Sequence, residues 1–396
     1  MKLISFSIGI LLLIGIEIAR VYFIMPFPGS QVDNTIALAY FIQTYIWLFR
    51  IAGLLMIAYP SFYFIRKVSP TFKWTVIAIL IFWVMVFYSF NFRFLADKMF
   101  YQPEHKILVK QDKNALPTNK LVIGVSLHGE SKAYPIEIIG YHHQVRDTIG
   151  GEAVMITYCT VCRTGRAYSP IVDGQPEKFR LVGMDHFNAV FEDSRTKSWW
   201  RQANGEAITG PLKGKTLGEI PSEQTTLGVW LMLHPDSFVL QPDSSFKEQY
   251  KELEKYDEGK TEGKLERHDS LSWQDKSWVI GVSMGMKAKA YDWNDLKKFR
   301  VINDVIDSKP IAVVLENDTA SFYVLNRVLG KDTLQFIYND STKMMIDKKF
   351  NSVWTLSGQC QSGSKQGMRL NSVQAYQEYW HSWRTFHPQT KKFVAP

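Results

Sequence analysis

The sequence predicts an α+β protein, predominantly β, in which three transmembrane helices precede two tandem homologous lobes. Three apolar stretches near the N-terminus predict the helices, and motifs that recur in the same order predict the lobes. Short runs rich in β-branched and aromatic residues, separated by Gly, Asp and Asn, predict mostly strands. We expect a membrane anchor at 1–95, a first lobe at 107–245, a charged linker at 246–270 and a second lobe at 271–396.

The composition is that of a folded protein with a large core. Hydrophobic residues make up 46% and aromatic residues 14% of the 396 residues, which is too apolar for a disordered chain. The net charge is +8, yet no block of Lys and Arg is interleaved with aromatic residues, so we expect no nucleic-acid partner. The three cysteines are too few for a disulfide scaffold.

The apolar stretches run over about 3–25, 36–59 and 72–92, and each is long enough to span a bilayer, which takes about 20 residues. A cleaved signal peptide would explain only the first stretch, which is too long for one and lacks a small-residue cleavage site. The lipid bilayer is therefore the expected partner of residues 3–92.

Loop charge predicts the orientation of these helices. The loop between the second and third carries Arg66, Lys67 and Lys73, whereas the loop between the first and second carries only Asp33. The positive-inside rule places the basic loop in the cytoplasm. The chain is thus expected to be a multi-pass protein of the inner (cytoplasmic) membrane, with its C-terminal domain on the periplasmic or extracellular side. That compartment permits disulfides.

Three charged residues, Glu17, Arg20 and Arg50, lie within the apolar stretches and require partners, because charge inside a membrane is costly. One arrangement pairs Glu17 with Arg50 between two helices. The other pairs Glu17 with Arg20, one turn away on the same helix, near one end of the span. We expect the second, local arrangement.

Two copies of one unit make up the soluble part of the chain. The matching positions are 122–126 with 279–283, 132–134 with 289–291, 147 with 304, 200 with 354, and 234 with 387. The offset is 157 in the first three pairs (279 minus 122), and 154 and 153 in the last two. A recurring order of anchors indicates two homologous lobes, which we expect to pack about a pseudo-twofold axis.

The expected elements of each unit follow from its local sequence. A strand opens each copy, at 121–127 and 278–284, and a short helix from about Pro135 to His142 follows in the first copy. The run 154–158 is apolar and rich in strand-forming residues, so we expect a core strand that ends at a Cys-x-x-Cys pair.

Cys159 and Cys162 form the candidate site of the first lobe. A thiolate is both a nucleophile and a soft-metal ligand, and Arg163 and Arg166 would lower a thiol pKa if their guanidinium groups lay close. The offset of 157 places Glu316 and Thr319 at the cysteine positions of the second lobe, which has therefore lost the thiols. Loss of the thiols from the second lobe favours the hypothesis that the first lobe has kept a functional site.

A metal site needs one or two ligands besides the two sulfurs. The donors available in the first lobe are His128, His142, His143, Met184 and His186, of which we expect His142, Met184 and His186 to serve. Sulfur, thioether and imidazole together suit copper or zinc.

The anchors resemble a bacterial family named domain of unknown function 3179. The matching elements are Gly124, the step 133–135, His142 with Asp147, Gly150 and Gly151, the segment 158–162, the segment 200–205, the turn 210–214 and the terminal Trp and His-Pro block. The resemblance covers nearly the whole chain after about Ile107. It supports His142 among the histidines, and Asp147 and Trp200 as supporting residues, but it implies no activity, because the family is uncharacterised.

Two function hypotheses follow. In the first, an extracytoplasmic site at Cys159 and Cys162 binds copper or zinc, or undergoes thiol-disulfide exchange. In the second, the lobes form a non-catalytic ligand-binding or scaffold module in which Cys159–Cys162 is a structural disulfide. A bridge across so short a loop adds little chain-entropy stabilisation, and this favours the first hypothesis.

Overall fold

The computed structural model describes residues 1–32 and 34–395, which form two compact units. The anchor unit comprises Met1–Tyr101, Glu177–Arg201 and Glu206–Thr216. The β unit comprises Gln102–Pro176, Gln202–Gly205 and residues 217–395. Within the β unit, we call the residues before 246 the first half and residues 271–395 the second half.

The three predicted apolar helices are confirmed as α1 (Lys2–Tyr22), α2 (Ile36–Lys67) and α3 (Pro70–Phe92), each long and apolar enough to cross a membrane. The second helix extends past the predicted stretch 36–59, so the basic residues Arg66 and Lys67 lie in its last turn. Asp33, on which the loop-charge argument also rests, lies outside the described residues.

Helices α1 and α2 pack closely through small residues. A Cβ placed on Gly9 would lie 2.6 Å from Ile57 Cγ2, and one on Gly53 would lie 2.6 Å from Leu13 Cγ. Because membrane helices gain no hydrophobic energy from pairing, close backbone approach and van der Waals contact hold them together. Any larger residue at Gly9 or Gly53 would force α1 and α2 apart.

The expected local pair of Glu17 with Arg20 is corrected by the structure, in which Glu17 pairs with Arg50 of α2. Arg50 Nε lies 2.7 Å from Glu17 Oε1, and Asn91 Nδ2 of α3 donates to Glu17 Oε2 at 2.8 Å. Arg20 instead donates from Nε to Gln43 Oε1 at 2.7 Å. A carboxylate and a guanidinium that are shielded from water are best stabilised by a bidentate ion pair with further hydrogen bonds. The network around Glu17 has this form, and it includes residues of all three helices.

The remaining elements are short. The helices are α4 (Ala96–Met99), α5 (Ile136–His142), α6 (Leu227–Leu233), α7 (Lys247–Glu252), α8 (Trp293–Phe299) and α9 (Trp380–Phe386). The strands up to residue 245 are β1 (Ile107–Val109), β2 (Leu121–Leu127), β3 (Glu130–Pro135), β4 (Gln144–Ile149), β5 (Glu152–Cys159), β6 (Thr164–Tyr168), β7 (Ile171–Val172), β8 (Gln175–Pro176), β9 (Phe179–Asp185), β10 (Asn188–Asp193), β11 (Trp199–Arg201), β12 (Ala207–Thr209), β13 (Glu219–Ile220), β14 (Glu223–Thr226) and β15 (Phe238–Gln241).

The strands after residue 270 are β16 (Trp278–Met284), β17 (Lys287–Asp292), β18 (Val301–Ile306), β19 (Lys309–Leu315), β20 (Phe322–Asn326), β21 (Val328–Leu329), β22 (Asp332–Thr333), β23 (Phe336–Asn339), β24 (Met344–Asp347), β25 (Val353–Trp354), β26 (Cys360–Ser362), β27 (Tyr376–Tyr379) and β28 (Lys391–Lys392). The β-rich character predicted for the soluble part is therefore confirmed, as are the opening strands β2 and β16. The short helix expected at 135–142 is α5.

The larger sheets of the β unit have the strand orders β1-β15-β3-β2-β14, β13-β6-β5-β4, β27-β16-β17-β28, β18-β19-β20 and β23-β24-β25-β26. Two strand pairs, β2 with β3 and β16 with β17, each place a Gly opposite an Ala. Gly124 of β2 pairs with Ala133, and Gly281 of β16 pairs with Ala290. Strand β15 runs parallel to β3, as β28 runs parallel to β17.

A polar contact also recurs in the two halves. Tyr134 Oη donates to Asp147 Oδ2 at 2.7 Å, and Tyr291 Oη donates to Asp304 Oδ2 at 2.7 Å. Each Tyr is buried, so its hydroxyl needs a partner, and the Asp on the following hairpin provides one. Asp147 therefore has a structural role that its counterpart shares.

The anchor unit continues from the membrane helices into a sheet of order β12-β11-β10-β9. Met184 N donates to Ile24 O at 2.7 Å, just beyond the end of α1. A Cβ on Gly183 would lie 2.2 Å from that same carbonyl oxygen, so only glycine permits the approach. The ring of Trp199 meets Tyr40 of α2 edge-on at 5.2 Å between centroids.

Candidate functional site

The predicted core strand is confirmed as β5, and it delivers Cys159 to a tight turn that leads into β6. Cys159 pairs with Thr164 across the hairpin, so Cys162 lies within the turn. Both cysteine side chains are completely buried. The turn requires a positive φ of 54° at Arg163, which is uncommon for a residue with a side chain.

The two cysteines of the turn lie 3.8 Å apart. Burial raises the pKa of the Cys162 thiol, and a hydrogen bond with Cys159 raises it further, against the lowering effects of Ser382 and Lys276. At neutral pH Cys162 is therefore a thiol rather than a thiolate. The sequence suggested that Arg163 and Arg166 could lower a thiol pKa, but burial has the largest effect on the pKa of Cys162 and raises it.

Arg163 extends from the turn into the second half of the β unit. Its Nε donates to Gln377 Oε1 at 2.8 Å, and its Nη1 donates to Tyr256 O at 3.3 Å. The guanidinium carbon lies 4.0 Å from the centroid of the Trp278 ring. These contacts hold the side chain in one position and offset the strain of its backbone.

Arg166 forms a buried ion pair with the second half. Its Nη2 lies 2.5 Å from Glu378 Oε1, and both side chains are at most 2% exposed. Its Nε donates to Ala203 O at 3.1 Å, and its guanidinium carbon lies 3.2 Å from the Tyr376 ring centroid. Ser382 Oγ donates to the other Glu378 oxygen at 2.9 Å. The charge is thus paired and its hydrogen-bonding groups are used.

Residues of the second half also bind the backbone of the cysteine turn. Tyr379 N donates to Cys162 O at 3.0 Å, and Lys276 Nζ donates to Val161 O at 2.7 Å. His381 Nε2 lies 3.1 Å from the same Val161 oxygen. The cysteine turn is therefore one of the places where the two halves of the β unit meet.

The predicted metal donors have other surroundings. His142 is fully buried at the end of α5, where its Nε2 lies 2.7 Å from Tyr250 Oη. Met184 and His186 belong to the anchor unit, and His186 Nδ1 lies 2.8 Å from Asp185 Oδ1. Across residues 1–32 and 34–395, no three side chains of His, Cys, Asp or Glu are grouped closely enough to hold a metal ion.

The supporting residue Trp200 is also part of the anchor unit. Its Nε1 donates to Asp193 Oδ2 at 2.9 Å, and Trp354 Nε1 of the β unit donates to Asp347 Oδ2 at 3.0 Å. Both rings are buried. A buried indole needs a hydrogen-bond acceptor, so Trp200 serves packing here.

A family model described as "Protein of unknown function (DUF3179)" matches residues 101–390. The chain belongs to this family. The match confirms the resemblance drawn from the sequence motifs. No curated protein and no solved structure matches the chain.

The DUF3179 region contains a second candidate site, a cavity of about 270 Å³ that residues of both halves line. Glu223, Trp230 and His234 come from the first half, and Tyr323 and Val373 from the second. Sequence reasoning did not identify this site, because its candidate residues centred on Cys159 and Cys162. The His-Pro anchor at His234 was a signal that the sequence offered.

Sequence reasoning also missed Lys276, Gln377, Glu378 and His381 at the cysteine turn. These residues lie more than 100 positions from Cys162 along the chain. The charge of Arg163 and Arg166 was visible in the sequence, but their partners, the Gln377 amide and the buried Glu378 carboxylate, were not. Only the approach of the halves brings them together.

Proposed function

We propose that the chain is a membrane-anchored, non-catalytic binding or scaffold module in which Cys159 and Cys162 fasten the junction of two homologous lobes. One observation carries the proposal: both cysteines are completely buried, and second-half residues bind the backbone of their turn. A site that exchanges thiols with other molecules needs access, and this turn has none.

The homology of the lobes is supported by the equal registers of their strands and by a contact between equivalent residues. Gln224 and Gln377 differ by 153 positions, as do His234 and His387. Gln224 Nε2 donates to Gln377 Oε1 at 2.8 Å. In a twofold arrangement, a residue meets its own counterpart at the axis. We therefore infer a duplicated unit packed about a pseudo-twofold axis that passes near this pair.

Thiol-disulfide exchange is the second candidate, and the short separation of the cysteine side chains favours it. Side chains 3.8 Å apart need little movement to form a bond, and an oxidising compartment would permit a structural or reactive disulfide. The raised pKa of the Cys162 thiol opposes rapid exchange, because the thiolate is the reactive form. Binding of copper or zinc has weaker support, since His142 lies beside Tyr250 and His186 beside Asp185, each at 2.7 to 2.8 Å.

Replacing both cysteines by serine tests the structural role. We expect the Cys159→Ser, Cys162→Ser variant to lose about 2 to 4 kcal/mol of unfolding free energy, because two hydroxyls are then buried in place of thiols that pack well. The measurement is the melting temperature of the detergent-solubilised chain, together with complementation of a deletion strain. The control is Cys360→Ser, which changes one buried thiol of the second half.

If the cysteines have a structural role, the double variant should complement the deletion strain less well in proportion to its loss of stability. An unchanged melting temperature with a lost phenotype would instead assign reactivity to the cysteines. Thiol titration against redox buffers separates the cases further, since structural bridges have potentials below about −300 mV.

We propose the inner membrane as the location, with the β unit on the periplasmic side. Basic residues support this orientation: Lys2 begins α1, Lys67 ends α2 and Lys73 lies in the first turn of α3. Lys2 Nζ lies 3.3 Å from the Tyr63 ring centroid, so these helix ends share one side. Positive charge marks that side as cytoplasmic.

A reporter that is active only in the periplasm should be active when fused after the last residue of the chain. The same reporter inserted after Ser69, between α2 and α3, should be inactive because this connection faces the cytoplasm. Reporter activity from the α2–α3 connection, or from a cytoplasm-only reporter at the C-terminus, would reverse the topology.

A further inference from the structure

We propose that the cavity between the two halves of the β unit binds a small organic cation, an alkyl or aryl ammonium ion, with Glu223 as its counter-ion. Strand β14 of the first half carries Glu223, and β20 of the second half carries Tyr323. The strands lie side by side at the junction, where Thr226 N donates to Ser321 Oγ at 2.8 Å. The site therefore exists only when the halves are assembled.

The first observation is a carboxylate without a cationic partner. Within the part of the chain that the structure describes, no Lys, Arg or His nitrogen lies within 4.0 Å of the Glu223 carboxylate. The cation that acts on it from further away is Arg369, which is exposed. Burial raises the pKa of Glu223, as expected for a buried carboxylate whose negative charge is only weakly balanced by a nearby positive charge. A cation bound in the cavity would balance that charge.

The second observation is an unsatisfied hydroxyl. Tyr323 is one of the residues that line the cavity, it is only 5% exposed, and its buried Oη has no hydrogen-bond partner among the described residues. A buried hydroxyl without a partner costs free energy and is rare in folded proteins. A ligand that hydrogen-bonds to Tyr323 would remove this cost.

The remaining polar groups restrict what can bind. Ser131 Oγ donates to Ser126 Oγ at 2.9 Å and lies 3.2 Å from His234 Nδ1, so a chain of hydrogen bonds holds the His234 ring. The same ring packs 4.0 Å from the Trp230 ring. Burial lowers the pKa of His234, and Arg369 lowers it further, which leaves the imidazole neutral at pH 7. Among the described residues that line the cavity there is no Lys or Arg, and Arg369 acts on it only from further away, so Glu223 disfavours an anionic ligand.

The volume and the lining of the cavity also suit a small organic cation. A volume of about 270 Å³ lies just below the range of about 300 to 1,000 Å³ that holds drug-sized ligands. The lining also includes the apolar residues Trp230, Val373 and Ala375, which suit the uncharged part of the molecule. An ammonium group carries three donors and no acceptor, which suits the carboxylate and the phenolic oxygen together.

Isothermal titration calorimetry on the detergent-solubilised full chain tests the proposal with ethylamine, butylamine and 2-phenylethylamine at pH 7. We expect saturable binding of at least one amine at concentrations up to about 10 mM. The uncharged 2-phenylethanol and the anion 3-phenylpropionate should bind at least about tenfold more weakly than 2-phenylethylamine, because neither offers a cation to Glu223.

Glu223→Gln should weaken amine binding by about tenfold or more, since it removes the counter-ion and keeps the shape. Tyr323→Phe removes only the unbonded oxygen, so it should fold normally and weaken binding by about threefold to tenfold. Glu316→Gln changes a partly buried carboxylate of the second half that does not line the cavity, and it should bind as the unaltered chain does.

The proposal is overturned if no amine binds, if the alcohol or the acid binds as well as 2-phenylethylamine, or if Glu223→Gln binds unchanged. None of these results depends on Cys159 or Cys162. The cavity and the proposed role of the cysteine turn can therefore fail separately.

Discussion

Replacing Arg166 by Met should lower the free energy of unfolding by about 3 to 5 kcal/mol, because it leaves the Glu378 carboxylate buried without its counter-ion. The pair spans the two halves of the β unit, and both side chains are at most 2% exposed. Among the described residues, Ser382 would then remain as the side-chain donor to that carboxylate. The melting temperature of the detergent-solubilised chain measures the loss.

Two further variants make this result interpretable. Arg384→Met removes an arginine from the exposed pair with Asp275, whose side chains are 49% and 69% exposed, and it should cost at most about 1 kcal/mol. The double variant Arg166→Met, Glu378→Met should recover most of the lost stability, because no unpaired charge remains. Equal losses in Arg166→Met and Arg384→Met would show that the buried pair does not join the halves.

Lowering the pH from 8 to 5 should cost about 2 kcal/mol of stability for each of two buried histidines, His143 and His381. Burial lowers the pKa of each from 6.5 to about 4, and Lys276 lowers that of His381 further. A histidine with a lowered folded-state pKa stabilises the fold fully above its unfolded pKa. That contribution is lost as the pH falls from about 6.5 through about 4.

His143 follows α5, and its Nδ1 lies 3.0 Å from Tyr141 O, while His381 lies beside Lys276 at 3.3 Å between nitrogens. Protonating His381 would therefore place two positive charges in contact at the cysteine turn. The melting temperature should fall by roughly 10 °C between pH 8 and pH 5 from these two groups.

The double variant His143→Gln, His381→Gln should remove most of that pH dependence. The exposed His128→Gln is the matched control and should keep the pH profile of the unaltered chain. If the double variant shows the same fall in melting temperature, the acid sensitivity arises elsewhere.

Local patterns were sufficient to predict much of the fold. The strands β2, β5 and β16 and the helix α5 lie where composition and turn residues placed them. Strand β19 shows why: Ile311, Val313 and Leu315 belong to one buried cluster, whereas Ala312 and Val314 belong to another. A strand buried on both faces reads as a continuous apolar run, which is visible without knowledge of its neighbours.

The sequence was a poorer guide to which residues the charged side chains contact. Glu17 has Arg20 one turn away, yet it pairs with Arg50 on another helix. Arg163 and Arg166 looked like activators of a thiol, and both instead bind residues of the second half. A charged side chain reaches several positions, and its partner is decided by which backbones approach each other.

The sequence by itself determined the three long apolar helices, the β-rich region, the family and the positions of Cys159 and Cys162, because hydrophobic length, residue periodicity and motif order are properties of neighbouring residues. Only the tertiary structure decided that the cysteine turn is buried, that Glu378 neutralises Arg166, and that Glu223 and Tyr323 share a cavity. These features depend on contacts between residues about 100 to 220 positions apart, whose energies come from desolvation and burial at the junction of the two halves.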